Sequence, residues 1–173
     1  STDDIVKEAE ISKGLLFHYF GSKAGLYIFV YEYSARYMAM ELQRAISLRE
    51  RDLFLLFVQI EDAKNVLLRN YPYMQKFLLS SRELPDDAVM EEIKDYTGLV
   101  ETAMNEALER ADHDRILPDV DVELLVRSMH YVTRGLMETG LTEKLDSEFV
   151  HNEAVNFCMM MREKFTKPEY LEE

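Results

Sequence analysis

A single cysteine, Cys158, stands among 173 residues, which excludes an intrachain disulfide framework and any multi-cysteine zinc or iron–sulfur site built by one chain. One free thiol suits a reducing cytoplasm. Tryptophan is absent, and six glycines with four prolines are too few for a sheet-rich fold of many tight turns. No apolar run approaches the roughly 18 residues that a bilayer-spanning helix needs. The opening Ser1-Thr2-Asp3-Asp4 lacks the basic, then apolar, pattern of an export leader. No membrane partner is expected. His18, His113, His130 and His151 do not stand at metal-ligand spacing, and there is no glycine-rich phosphate loop, nucleophile elbow or isolated carboxylate pair. An enzyme, a metal site and a bound cofactor therefore have no residues to rest on.

Positive charge is also scarce. The net charge of −13 argues against general affinity for polyanions, since nucleic-acid binders carry a basic footprint. Its distribution alters that reading. Residues 1–50 hold six Lys/Arg against seven Asp/Glu, whereas residues 51–173 hold fourteen against twenty-six. The acid belongs to the later part of the chain.

What the sequence does contain is apolar residues at helical spacing, 47% of the chain being hydrophobic. Thr2 as N-cap, with Asp3 and Asp4 in the first turn, predicts a short helix over residues 2–9. Ser12 caps a second short helix that stops at Phe20-Gly21. Ser22 caps a long third one reaching about Ile46, whose apolar positions are Leu26, Phe29, Val30, Tyr33, Tyr37 and Met40. The segment 53–68 is apolar on almost every side and reads as a helix surrounded by others. A brief helix is predicted over 73–81. Pro85, Asp86 and Asp87 open another that ends near Asp112, and two last helices run from about Val120 to Leu141 and from Ser147 to Phe165. Gly135 marks either a close helix crossing or a tolerated accident. Cys158, followed by methionines, reads as a small buried hydrophobe. The fold class expected is all-α, with residues 1–47 as a helix-turn-helix unit plus connecting helix and residues 48–173 as a helical bundle.

Two short helices joined by a tight turn, the second capped by serine and carrying glycine and aromatics, have helix-turn-helix geometry. The segment from Thr2 to Tyr27, with Ala9, Ile11, Ser12-Lys13-Gly14-Leu15-Leu16-Phe17-His18-Tyr19-Phe20 and then Lys23 and Leu26, closely resembles the signature of TetR/AcrR-family transcriptional regulators. That resemblance implies a DNA-binding regulator, most simply a repressor released from a pseudo-palindromic operator by a small-molecule effector. It also implies a homodimer, with the last two helices pairing across a two-fold. In that family a further helix precedes these two and completes the DNA-binding domain. This chain begins in effect at the second helix, and a unit lacking the first would bind DNA weakly.

Each matching position has a physical role. Gly14 lets the backbone approach a phosphate or base edge, and free N–H groups at a helix start favour an anion. Leu16 and Phe20 face inward, while Ser12, Lys13, Phe17, His18 and Tyr19 face the groove or its rim. Phe17 replaces the tyrosine usual in the family, so it offers a thymine-methyl or sugar contact, or a core role, in place of a hydrogen bond. Lys23 corresponds to the family's phosphate-facing lysine, and Thr2 plays a similar part. In the bundle, polar groups among apolar ones nominate an effector site from Phe57, Ile60, Glu61, Phe77, Tyr96, His130 and Arg134. The competing reading is a helical, dimeric interaction module without DNA binding.

Overall fold

Among the described residues, six α-helices start at a serine or aspartate whose side-chain oxygen accepts a backbone N–H of the first turn. These caps set the punctuation of the chain. The computed structural model describes residues 1–80 and 87–172. Its helices are α1 (Thr2–Glu8), α2 (Lys13–Phe20), α3 (Lys23–Ala45), α4 (Leu53–Asn70), α5 (Met74–Ser80), α6 (Asp87–Thr97), α7 (Leu99–Leu108), α8 (Val122–Glu143) and α9 (Ser147–Phe165). Among the described residues there is no strand, only an isolated bridge between Ile116 and Thr166. The fold is all-α, as the sequence predicts.

Several local expectations need correcting. Ser1, not Thr2, caps α1: its hydroxyl accepts from Asp4 N, and Asp4 reaches back in a capping box. Thr2 is the first helical residue. The single helix predicted to end near Asp112 is two, α6 and α7, separated at Gly98. There the Thr97 hydroxyl donates to Lys94 O at 2.8 Å, a local bond that competes with helix continuation. Pro85 and Asp86, expected to open that helix, lie outside the described residues, as does Ser81.

The orientation of α3 also differs. Its buried residues are Leu26, Tyr31, Ser34, Ala35, Met38 and Leu42, whereas Phe29, Val30, Tyr33 and Met40 are exposed. The small pair Ser34 and Ala35 marks the face on which α6 and α7 pack, and that packing outweighs the larger side chains on the other face. Gly135 makes no close crossing, since a Cβ there would meet nothing within 4 Å. The close approach is at Gly140, where a Cβ would lie 2.6 Å from Val150 Cγ2.

The core centres on α4, as predicted. Phe54, Leu56, Phe57 and Ile60 are almost completely buried, and α4 packs most extensively against α9 and then α3. Cys158 is also fully buried, and burial pushes its thiol up to about 12, so it is inert at neutral pH. Asp52 ties the ends of this core together. Its Oδ1 accepts from Phe54 N and Leu55 N, while its Oδ2 accepts from Arg162 Nε at 2.7 Å. Arg162 also donates to the carbonyls of Tyr170 and Leu171. Both charges are nearly excluded from water, at 10% and 2% side-chain exposure, and their hydrogen bonds offset that desolvation.

Candidate nucleic-acid interface and effector cavity

The N-terminal helices are built from caps and one buried leucine. After α1 the chain turns through Glu10, at φ 54°, and Ser12 then caps α2 by accepting from Leu15 N at 3.1 Å. Leu16 is the one buried residue of α2, and it anchors the helix on its neighbours. Gly21 ends α2 at φ 69°, a conformation that disfavours a side chain, and Ser22 caps α3 by accepting from Gly25 N at 3.0 Å. A Cβ on Gly25 would lie 2.1 Å from Phe20 O. Glycine at 25 is therefore what lets α3 leave α2 at so tight a turn. Sequence reasoning missed it, because Gly14 drew attention as part of the recognisable motif.

This scaffold leaves Ser12, Lys13, Gly14, His18 and Tyr19 of α2 exposed and Phe17 half-buried. Gly14 has open space around it, its nearest neighbour being Ser12 Oγ at 3.9 Å, so internal packing does not require a glycine there. The rings of His18 and Tyr19 meet edge to face at 5.6 Å. Lys13 Nζ pairs with Asp3 Oδ1 at 2.8 Å, an exposed bridge that water screens and a stronger anion can displace. Lys23 is the exposed first residue of α3, and Thr2 is half-buried at the start of α1. Phe20 is half-buried against Phe29, at 5.1 Å between centroids.

A cavity of about 120 Å³ lies between α4, α8 and the start of α9. Its apolar wall includes Leu68, Met137, Leu141, Leu145, Val150 and Ala154. Its polar groups are Glu61, Lys64, Asn65, Thr133, Ser147 and His151. Glu61 and Lys64 form a buried ion pair at 2.7 Å, and His151 Nε2 meets Asp62 Oδ1 at 2.7 Å. Asn65 Oδ1 is buried and has no hydrogen-bond partner among the described residues.

Of the seven residues nominated from sequence, Glu61 alone lines this cavity. Phe57 and Ile60 lie in the core, with His130 set edge-on to Phe57 at 5.1 Å. The His130 Nε2 is buried without a hydrogen bond, and burial, helped by the charge on Lys64, holds the imidazole below its ordinary pKa. Phe77 packs on Tyr27 and Tyr31, and Tyr96 lies under the Arg36 guanidinium, 5.3 Å from its ring centre. Arg134 is exposed and paired with Glu138 at 2.8 Å. The nominated set thus occupies several places, and the sequence holds no local signal for Asn65, Leu68 or Met137, whose meeting depends on how three helices pack. Among the described residues no group of His, Cys, Asp or Glu is placed to hold a metal, and no helix is long and apolar enough to cross a membrane.

A short serine-capped helix presenting an exposed polar and aromatic face, hung on a longer helix by a glycine-bearing turn, defines a protein of the helix-turn-helix class. Residues 1–28 match the family described as bacterial regulatory proteins, tetR family, which bears out the resemblance and supports a DNA-binding transcriptional regulator of that family. The chain matches no curated protein and no solved structure.

Proposed function

We propose that this protein is a cytoplasmic, homodimeric and ligand-responsive transcriptional regulator, most simply a repressor released from a pseudo-palindromic operator by a small molecule, with no enzymatic activity. The observation that carries this reading is α2, capped by Ser12, bared on one side and matched to the family over residues 1–28. Residues 1–47 would form the DNA-binding unit with its connecting helix, and residues 48–173 the effector and dimerisation bundle. In the complex, Thr2 and Lys23 contact phosphates, and the N–H groups beside Ser12 and Gly14 receive another. Lys13, Phe17, His18 and Tyr19 face the groove.

Dimerisation draws support from α8 and α9. Tyr131 is 68% exposed and Phe149 55%, and Leu124, Val132 and Met160 are also exposed on these two helices. Large apolar groups in such number suit an isologous contact. Coupling draws support from Leu68, which lines the cavity and also a crevice shared with Met38 of α3. A ligand that shifts α4 would thereby push on the helix that carries the DNA-binding unit. To change occupancy usefully it must favour the DNA-free conformation by about 1 to 3 kcal/mol, and DNA must weaken the ligand reciprocally.

Duplexes selected from a random pool on the full-length protein, then titrated by fluorescence anisotropy, test this reading. Two chains per pseudo-palindromic duplex are expected. Lys23→Ala should weaken binding to every sequence alike and reduce the salt slope by about one unit. Failure to select any duplex, or one chain per site, would overturn the reading. Altered base preference with an unchanged salt slope would remove the role given to Lys23.

A further inference from the structure

Resting on the reading of α2 as the helix that meets DNA, we infer that Asp3 is a specificity-determining residue, one that holds Lys13 as a hydrogen-bond donor for base edges and withholds it from phosphates. The observation is the bridge between α1 and α2, Lys13 Nζ to Asp3 Oδ1 at 2.8 Å. Both residues are exposed, and Lys13 is the first residue of α2, between the exposed Ser12 and Gly14. The neighbouring acid is engaged elsewhere. Asp4 closes the capping box with Ser1, whereas Asp3 takes no part in that cap and reaches Lys13, ten residues along the chain.

Bracing α1 against α2 explains little of this contact. Side-chain exposures of 52% and 71% leave the pair in water, where such bridges add little stability. The turn at Glu10 and the buried Leu16 already fix the junction.

What the bridge changes is the chemistry open to Lys13. A lone ammonium is drawn to phosphates whatever the sequence of the duplex. Held against a carboxylate, it belongs to a couple with no net charge. A phosphate approaching Nζ then meets the negative charge of Asp3 as well, and attraction and repulsion largely cancel. The ammonium still has three N–H donors, of which the bridge uses one. The other two suit a neutral acceptor such as O6 or N7 of guanine, both displayed in the major groove. Asp3 thus turns a general cation into a reader of bases. The surroundings favour that use: residues 1–50 hold six Lys/Arg against seven Asp/Glu, so sequence-blind attraction is too weak to mask one such contact.

The test titrates the full-length protein with the duplex it selects and with a scrambled duplex of the same length, by fluorescence anisotropy over a range of salt. Asp3→Asn removes the charge and keeps the size. It should bind the scrambled duplex about fivefold more tightly, with a salt slope steeper by about one unit, as one added phosphate contact requires. Its preference for the selected duplex should fall by about fivefold or more, the discrimination of one base contact. Asp3→Glu, which restores the carboxylate, should return both values toward wild type. Asp3→Asn combined with Lys13→Met removes both charges; it should match wild type on the scrambled duplex and lose the preference. Asp3→Ser, equally suited to a first helical turn, gives the same readings should Asp3→Asn fail to fold. A brace between helices predicts the opposite sign, with both duplexes weakened alike. That result, an unchanged salt slope in Asp3→Asn, or a double variant whose slope is shallower than wild type by one unit would each overturn the inference. A wild type that selects no duplex removes the regulator reading itself, whereas one that selects a duplex and gives any of those results removes only the role of Asp3.

Discussion

Helix α1 buries no residue and α2 buries only Leu16, whereas α4 alone buries nine residues, two of them phenylalanines. The two regions are stabilised in different ways. The N-terminal pair relies on caps at Ser1, Ser12 and Ser22 and on the tight exit at Gly25, while the bundle relies on packed apolar volume and the Asp52–Arg162 tie. A surface that must fit an external partner leaves its side chains outside, so it has few left for a core of its own. Local stability should follow the same division, with opening of α1 and α2 far cheaper than opening of α4.

The largest expected effect tests the bundle side of that contrast. Arg162→Ala strands a buried aspartate and frees two carbonyls, so urea denaturation should show a loss of about 3 to 5 kcal/mol. A loss below about 1 kcal/mol, the range of exposed pairs, would show that the tie is solvated and that the bundle depends on packing alone. On the other side, Leu16→Ala removes the one buried side chain of α2. A buried leucine truncation costs about 2 to 5 kcal/mol, which should melt α1 and α2 while the thermal transition of the bundle stays put. Amide exchange resolves the two: residues 2–20 should lose protection and residues 53–70 keep it. Equal loss in both would erase the distinction between them.

The smallest effect sharpens the comparison within the bundle. His130 faces Phe57, with Lys64, Glu61 and Glu101 the charged groups around it, and its folded pKa lies below the ordinary value of 6.5. The unfolded chain therefore binds the proton first, and stability through this residue is lost as pH falls through about 6.5 toward the folded value. His130→Gln should flatten the decline in melting temperature between about pH 7.5 and 5.5. An unchanged decline would assign it to the carboxylates.

Much of this arrangement is legible in the sequence because its signals are local. Ser12, Ser22 and Gly21 place the ends of α2 and the start of α3, the apolar run of α4 announces its burial, and the motif from Thr2 to Tyr27 carries the family. What depends on a distant neighbour is not legible. Gly140 differs from Gly135 only in having Val150 against it, and Gly25 differs from Gly14 only in the carbonyl of Phe20. On α3, aromatic Phe29 and Tyr33 looked like core, yet Ala35 and Ser34 face it, because α6 and α7 decide which face is covered. Asn65 is an ordinary helix-surface residue until α8 and α9 close over it.

The tie between Asp52 and Arg162 also bears on how the chain is made. Its two halves are 110 residues apart, and the carbonyls that complete it belong to Tyr170 and Leu171. During synthesis α4 emerges early, with an aspartate at its first turn whose counter-charge has not yet been translated. The side of the central helix that packs on α9 must wait, unclaimed, until α9 and the segment to Leu171 have been made, so this part of the bundle matures late in synthesis. In that interval the nascent protein is most exposed to aggregation and to chaperones.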